Sequence, residues 1–338
     1  MTEFVIGVTR SVTCHAESEF RLNGPLIAMP SLPCLNSFSR LALLFGAVLS
    51  ANAADLNTSK IEELTGMKGT LNQAESVFKV SAPRKDIPAT VEGWRMPPFM
   101  GLTSWAAFKT GNKSEAMVMG DIVLFEDEVN AAMSAALDHG LQVTALHNHF
   151  FFDHPKVYFM HIGGEGSLET LAGGVHSVFD TISHYRSAHS EVANSFVAQS
   201  LPAESSIRAS ELETVFGAKA QSQAGMAKFV FGREATMQCG CTVGKEMGVN
   251  TWAAFAGSDD NAVVDGDFVV TADELQAALK SLRADGVNIV AIHSHMTEES
   301  PRLIFFHYWG RGKAIDLAKS VSKALPESER KSPAPSIK

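Results

Sequence analysis

The sequence has few cysteines, few basic residues and no long apolar run, and each shortage excludes a class of protein. Four cysteines among 338 residues are too few for a disulfide-built scaffold. Lysine and arginine number 28 against 37 acidic residues, and the net charge of −9 argues against a nucleic-acid partner. No apolar run reaches the roughly 18 residues of a membrane-spanning helix, so no transmembrane segment is expected in the mature chain. A hydrophobic content of 45% nevertheless predicts a folded globular protein.

The N-terminal region has the layout of an export signal. Residues 29–53 combine an arginine, a short apolar segment and an A-x-A cleavage site that ends at Ala53. We therefore predict a signal peptide at 29–53, cleavage near Ala53 and a periplasmic or secreted protein. Residues 1–28 precede this signal, and we interpret them as an over-extended gene start, with a genuine cytosolic extension as the alternative.

The rest of the chain is a tandem duplication. Residues 120–163 align with residues 266–309 without a gap, and 14 of the 44 aligned positions are identical. This similarity predicts two homologous units related by a pseudo-twofold axis. The predicted boundaries are 54–190 for unit one, 191–205 for a linker, 206–326 for unit two and 327–338 for a mobile tail. The oligomeric state stays open.

Both units show the same order of strand and helix patterns. In unit one we predict strands at 116–124, 141–149 and 157–162, and helices at 127–139 and 167–183. Asp127 and Glu128 are interpreted as acids that favour the start of the first helix.

In unit two, Thr271 and Glu274 have the spacing of a capping box. The mixture of strands and helices predicts an α+β fold, in which each unit has a small sheet with a histidine-bearing β-hairpin and flanking helices.

Six histidines recur in the pattern H-x-H-x11-H, once in each unit. They are His147, His149, His161, His293, His295 and His307. Residues i and i+2 of a strand point to one face, so the first two histidines of each triad should point together. A hairpin folded about Pro155 would place His149 opposite His161, and one folded about Pro301 would do the same in unit two. Three converging imidazoles suit Zn, Cu, Fe or Ni, with an open position for water or substrate.

Two alternatives to a metal-binding protein stay open. The first is a metal-dependent hydrolase, in which Asp153 or Glu299 assists a metal-activated water. The second is a module that binds a small ligand or an envelope partner without metal, using the histidines as polar groups. H-E-x-x-H, G-x-S-x-G and the P-loop are absent, so no familiar motif supports an enzyme. Cys239 and Cys241 form a C-x-C pair that could be bonded, free or metal-binding.

Several longer segments resemble a bacterial family of exported proteins, the LppY/LpqO family. The resemblance rests on TGMKG, FKVSAPRKD, HYWGRG and the two H-x-H segments, and it extends over most of residues 55–326. It implies export and a duplicated architecture. It implies no activity, because the family is one of unknown function. Some members are lipoproteins, but this chain has no cysteine after the apolar segment to carry a lipid.

Overall fold

The structure is a computed structural model that describes residues 56–195 and 199–330. The predicted extension and signal peptide lie outside the described residues, as do positions 196–198 of the predicted linker and 331–338 of the predicted tail. Residues 327–330, the start of that predicted tail, form a short helix.

Unit one contains three helices and nine strands in the described part of the chain. The helices are α1 (Thr58–Thr65), α2 (Val129–Asp138) and α3 (Leu168–Ala188). The strands are β1 (Gly69–Asn72), β2 (Val77–Pro83), β3 (Thr90–Val91), β4 (Trp94–Arg95), β5 (Thr103–Thr110), β6 (Ala116–Phe125), β7 (Gln142–His147), β8 (Asp153–His154) and β9 (Val157–Gly166).

Unit two repeats this order and adds one helix at its end. The helices are α4 (Ala209–Phe216), α5 (Ala272–Ala284), α6 (Ala314–Ala324) and α7 (Glu327–Arg330). The strands are β10 (Gln221–Gln223), β11 (Met226–Gly232), β12 (Ala235–Met237), β13 (Thr242–Val243), β14 (Asn250–Gly257), β15 (Ala262–Thr271), β16 (Asn288–His293), β17 (Glu299–Ser300) and β18 (Leu303–Gly312).

The two units share one antiparallel sheet of twelve strands. Its order is β1-β2-β5-β6-β9-β7-β16-β18-β15-β14-β11-β10, which reads the same for the two units from opposite edges. The prediction of a mixed fold built from two repeated units is confirmed, but the expected separate small sheets are wrong. β7 and β16 pair at Leu146 and Ile292. This pairing removes two edges that would otherwise leave backbone groups unpaired.

The large sheet is covered by helices on one face and, over part of the other face, by short sheets. Helices cover one face, where Ile122, Met160 and Ile162 join their core. On the other face the short sheets β4-β3-β8 and β13-β12-β17 accompany two smaller apolar clusters, which include Phe159 in unit one and Phe305 in unit two. Strand ends such as the last residues of β6 are therefore buried on both sides.

Two side-chain amides join the units at the central seam. Gln276 of α5 accepts a hydrogen bond from Val143 N (2.9 Å) and donates one to Val143 O (2.8 Å). Asn130 of α2 makes the same two contacts with Ile289, at 2.8 and 3.4 Å. Each side-chain amide thus pairs with backbone groups of Val143 or Ile289 that β7 and β16 do not pair with each other.

The acids predicted to start the first helix have a different role. α2 begins at Val129, and the side chain of Glu128 makes no hydrogen bond typical of an N-cap. Glu128 is instead buried and accepts hydrogen bonds from Arg84, and Asp127 accepts one from Arg186. In unit two the predicted capping box of Thr271 and Glu274 is confirmed.

Candidate functional site

The histidines lie on the face of the large sheet that the helices do not cover. His161 has the same parity along β9 as Phe159, which packs in the smaller cluster, whereas Met160 faces the helices. A bulge between Val143 and Ala145 changes the parity of β7, so Val143 faces the helices and His147 faces away from them.

The predicted pairing of His149 with His161 is wrong. The observed register places His147 opposite Phe159 and Ala145 opposite His161, and β7 ends at His147. His149 lies in the following loop and stacks on the ring of Phe159, with centroids 3.4 Å apart. The register differs from the predicted one by an even number of residues, so the histidines still face the same side.

The triad nevertheless comes together in both units. In unit one, His147 Nε2 lies 3.2 Å from His149 Nε2, and the His147 ring stacks on His161 with a centroid separation of 5.1 Å. In unit two, His293 Nε2 and His295 Nε2 are also 3.2 Å apart. The His293 and His307 rings stack at 4.7 Å. Two diverged copies of the chain therefore keep one arrangement.

The spacing of the paired nitrogens matches that of two ligands on one metal ion. Zn–N bonds of about 2.0–2.1 Å at tetrahedral angles place two nitrogens about 3.3 Å apart. A hydrogen bond between the rings would also suit 3.2 Å. The third histidine of each unit is farther away: in the described residues, no group of three ligand atoms within 4.8 Å of one another forms from His147, His149 and His161.

Asp267 is a site residue that the sequence analysis missed. It follows Gly266 within β15, which continues to Thr271. A carboxylate oxygen of Asp267 and one ring nitrogen each of His293 and His295 all lie within 4.8 Å of one another. Burial raises the pKa of Asp267 to about 6, against the opposing effect of nearby His307. The sequence feature that could have identified Asp267 is the Gly-Asp pair present in both copies. This pair lies on the strand next to the one that carries the third histidine of each triad.

The histidine pKa values favour neutral rings. Burial, followed by the charges of neighbouring histidines, lowers the pKa of His147 and of His293 below the usual value. Burial also lowers the pKa of His295. A neutral imidazole has a free lone pair and is the form that binds metals. At neutral pH these rings can therefore accept a cation without first losing a proton.

The two acids predicted as catalytic candidates contact their own loops. Asp153 is buried, and its carboxylate accepts hydrogen bonds from Lys156 Nζ (2.9 Å) and Val157 N (2.7 Å). Glu299 is also buried and accepts a hydrogen bond from Leu303 N (3.0 Å). These contacts hold the loop between the second and third histidines in each unit.

Cys239 and Cys241 are exposed and are not bonded to each other. They lie in the turn between β12 and β13. A hydrogen bond from Cys241 lowers the pKa of the Cys239 thiol. The turn thus carries a thiol pair with no counterpart in unit one, where Glu92 and Gly93 join β3 to β4.

The duplicated unit matches a known protein family. Residues 59–181 and 210–327 each match the model of a Domain of Unknown Function (DUF1259). The chain belongs to this family. The match confirms the predicted duplication in a family of unknown function, whereas the LppY/LpqO resemblance stays a prediction. No curated protein matches this DUF1259 chain.

One solved structure resembles the DUF1259 chain weakly. It is a trimeric bacterial microcompartment shell protein, PduB, with 10% identity, covering 75% of this chain and 88% of that chain. The TM-score of 0.21 is too low to support an argument about fold or function. Among the helices of the described residues, none is long and apolar enough to cross a membrane.

Proposed function

We propose that each unit of this protein binds one transition-metal ion through its histidines. The ligands are His147, His149 and His161 in unit one and His293, His295 and His307 in unit two. The observation that carries the proposal is the 3.2 Å separation of two Nε2 atoms, repeated in both units beside a third stacked ring. A structural hydrogen bond alone would not require this constellation in both copies.

The surroundings of the histidines suit a cation that enters from solvent. His147, His161, His293 and His307 are half-buried, and His149 and His295 are exposed. Phe159 and Phe305 stack against the exposed rings and hold their orientation. Imidazole ligands suit Zn, Cu, Fe or Ni, so the donor set does not select one of these metals.

Binding or transport of metal in the periplasm or outside the cell is the setting we propose. The support is the signal-like segment at 29–53, which predicts export. Hydrolysis is the less favoured alternative, because the carboxylates of Asp153 and Glu299 bind their own loop backbones. A module that binds small ligands without metal is the function that would remain if no metal binds.

The decisive experiment measures metal in protein that carries no histidine tag. Residues 54–338 are expressed with an export signal, and bound metal is quantified by elemental analysis before and after reconstitution. We expect one to two equivalents of Zn, Cu, Fe or Ni per chain. No metal after reconstitution would refute the proposal and leave the histidines as polar groups of another binding site.

Matched variants then assign the metal to each unit. His147→Ala/His149→Ala should remove the unit-one metal, and His293→Ala/His295→Ala should remove the unit-two metal. Each double variant is the control for the other, and both should keep the circular dichroism spectrum of the unaltered protein. Equal metal content in both variants and the unaltered protein would refute the assignment to the histidines.

A further inference from the structure

We propose that Asp267 is a direct metal ligand, so that unit two holds a site of two histidines and one carboxylate. This proposal rests on the proposed function and changes the third ligand of unit two from His307 to Asp267. His307 then lies beside the carboxylate without binding the ion. Unit one binds through histidine nitrogens alone, so the two duplicated sites differ in the metals that they prefer.

The first support is the mutual distance of the donor atoms. Asp267 Oδ2 lies 3.5 Å from His295 Nε2, which lies 3.2 Å from His293 Nε2. Ligand atoms from these three residues all lie within 4.8 Å of one another. Donors on a tetrahedral ion are about 3.3 Å apart, so one ion can contact all three after small side-chain movements.

The second support is the unsatisfied carboxylate itself. Asp267 is only 4% exposed, and its Oδ1 has no hydrogen-bond partner in the described residues. His307 Nδ1 lies 3.9 Å from Asp267 Oδ1, which is too far for a hydrogen bond. Buried carboxylates without a partner are costly, and buried charges are normally paired or bind metals.

The equivalent residue of unit one provides the contrast. Asp121 is opposite His161 on the neighbouring strand, as Asp267 is opposite His307. Asp121 Oδ1 also has no hydrogen-bond partner in the described residues, but Asp121 is half-buried rather than buried. It forms no close three-donor group with His147 and His149 there. The same sequence position therefore contributes a ligand in one unit only.

The donor set defines the class of ion. Two histidines and a carboxylate are the set used by non-haem iron sites, and carboxylate oxygen also favours Mn²⁺ relative to an all-imidazole site. Three protein ligands leave open positions on the ion for water or another small ligand. We therefore infer that unit two takes a divalent ion of the Fe²⁺ and Mn²⁺ type, whereas unit one favours ions that prefer nitrogen.

The test measures metal binding by unit two alone. It uses the full mature chain with His147→Ala/His149→Ala, which removes the unit-one site. Zn²⁺ is titrated against a chromophoric chelator, first in this protein and then after adding Asp267→Asn, Asp121→Asn or His307→Ala. Asp267→Asn should lower the Zn²⁺ affinity by at least about tenfold, more than His307→Ala, because losing even an outer partner of a ligand costs about 10–100-fold. Asp121→Asn should leave the affinity unchanged.

A measurement that needs no change at Asp267 keeps the test independent of folding. Free Mn²⁺ is counted by electron paramagnetic resonance with the unit-two protein and with the reciprocal His293→Ala/His295→Ala protein. We expect at least about tenfold tighter Mn²⁺ binding by unit two.

The failures of the two proposals can be told apart. Unchanged Zn²⁺ affinity in Asp267→Asn, or equal Mn²⁺ binding by the two units, would overturn the ligand role of Asp267 and leave the histidine sites intact. If neither unit binds Zn²⁺, Cu²⁺, Fe²⁺, Ni²⁺ or Mn²⁺, the proposed function is overturned together with this inference.

Discussion

Glu128→Gln should destabilise the protein much more than the same change at its repeat counterpart. The Glu128 side chain is 1% exposed and accepts hydrogen bonds from Arg84 Nη1 (2.7 Å), Arg84 Nη2 (2.8 Å) and Phe125 N (2.8 Å). Arg186 Nε lies 2.7 Å from the same carboxylate. Both arginine side chains are 8% exposed, so neither can turn to water when the carboxylate charge is removed.

The expected cost follows from breaking a buried ion pair. Glutamine keeps the volume of Glu128 but leaves two buried guanidinium groups with less compensating charge. Removing one partner of a buried pair typically costs about 3–5 kcal/mol. The remaining acids, Asp86 and Asp127, still contact Arg84 and Arg186, so the lower end of that range is expected. Such a loss is a large share of a typical total stability of about 5–15 kcal/mol.

Glu274→Gln is the matched control. Glu274 occupies the equivalent position in unit two and pairs with Arg233 at 2.6 Å, but its side chain is 30% exposed. Glutamine can also keep the capping contact with Thr271 N, because glutamine suits the capping box. The expected cost is about 1 kcal/mol or less, as for partly exposed pairs.

Urea unfolding followed by circular dichroism measures both free energies of unfolding. Glu128→Gln should lower the free energy of unfolding by at least about 2 kcal/mol more than Glu274→Gln does. Equal losses in the two variants would show that burial does not determine the strength of these pairs, and would refute the reasoning.

Three further predictions concern stability. Burial raises the pKa of Glu329 to about 7, so the native state binds an extra proton between about pH 4.5 and 7. The free energy of unfolding therefore falls by about 3 kcal/mol as the pH rises through that window. Glu329→Gln should remove this loss in urea titrations at pH 5 and 8, and an unchanged pH dependence would contradict the prediction. Gln276→Ala leaves the backbone N and O of buried Val143 without their amide partner. It should lower the free energy of unfolding, measured in urea, by about 1–3 kcal/mol for each group left unpaired. A loss near zero would show that water replaces the amide. Gly266→Ala should lower the melting temperature, because its Cβ would lie 2.3 Å from the Tyr308 hydroxyl, whereas Gly163→Ala, with 3.7 Å to its nearest neighbour, is the control that should not.

Secondary structure and helix capping could be predicted from the sequence because they depend on residues that are close together in the chain. The duplication follows from the similarity of two segments of the chain. The strand Ala116–Phe125 and the helix Leu168–Ala188 follow from side-chain patterns and lie within about five residues of their predicted bounds. The capping box at Thr271 follows from a four-residue contact. The H-x-H-x11-H pattern likewise identified which histidines meet in each unit.

Tertiary structure decided what local pattern could not. The bulge after Val143 and the long loop before Val157 set the register, so His149 faces Phe159 rather than His161. Burial of Glu128 depends on Arg84, 44 residues earlier in the chain, and burial of Asp127 depends on Arg186, 59 residues later. No helix-start rule contains that information.

The sequence by itself thus determined the repeat, the elements and the identity of the clustered histidines. Only the tertiary structure joined the two units into one sheet through β7 and β16, and only it placed Asp267 beside His293 and His295. The physical reason is that periodicity reports on contacts a few residues apart. Strand pairing, burial and ligand geometry depend on groups that the whole fold brings together.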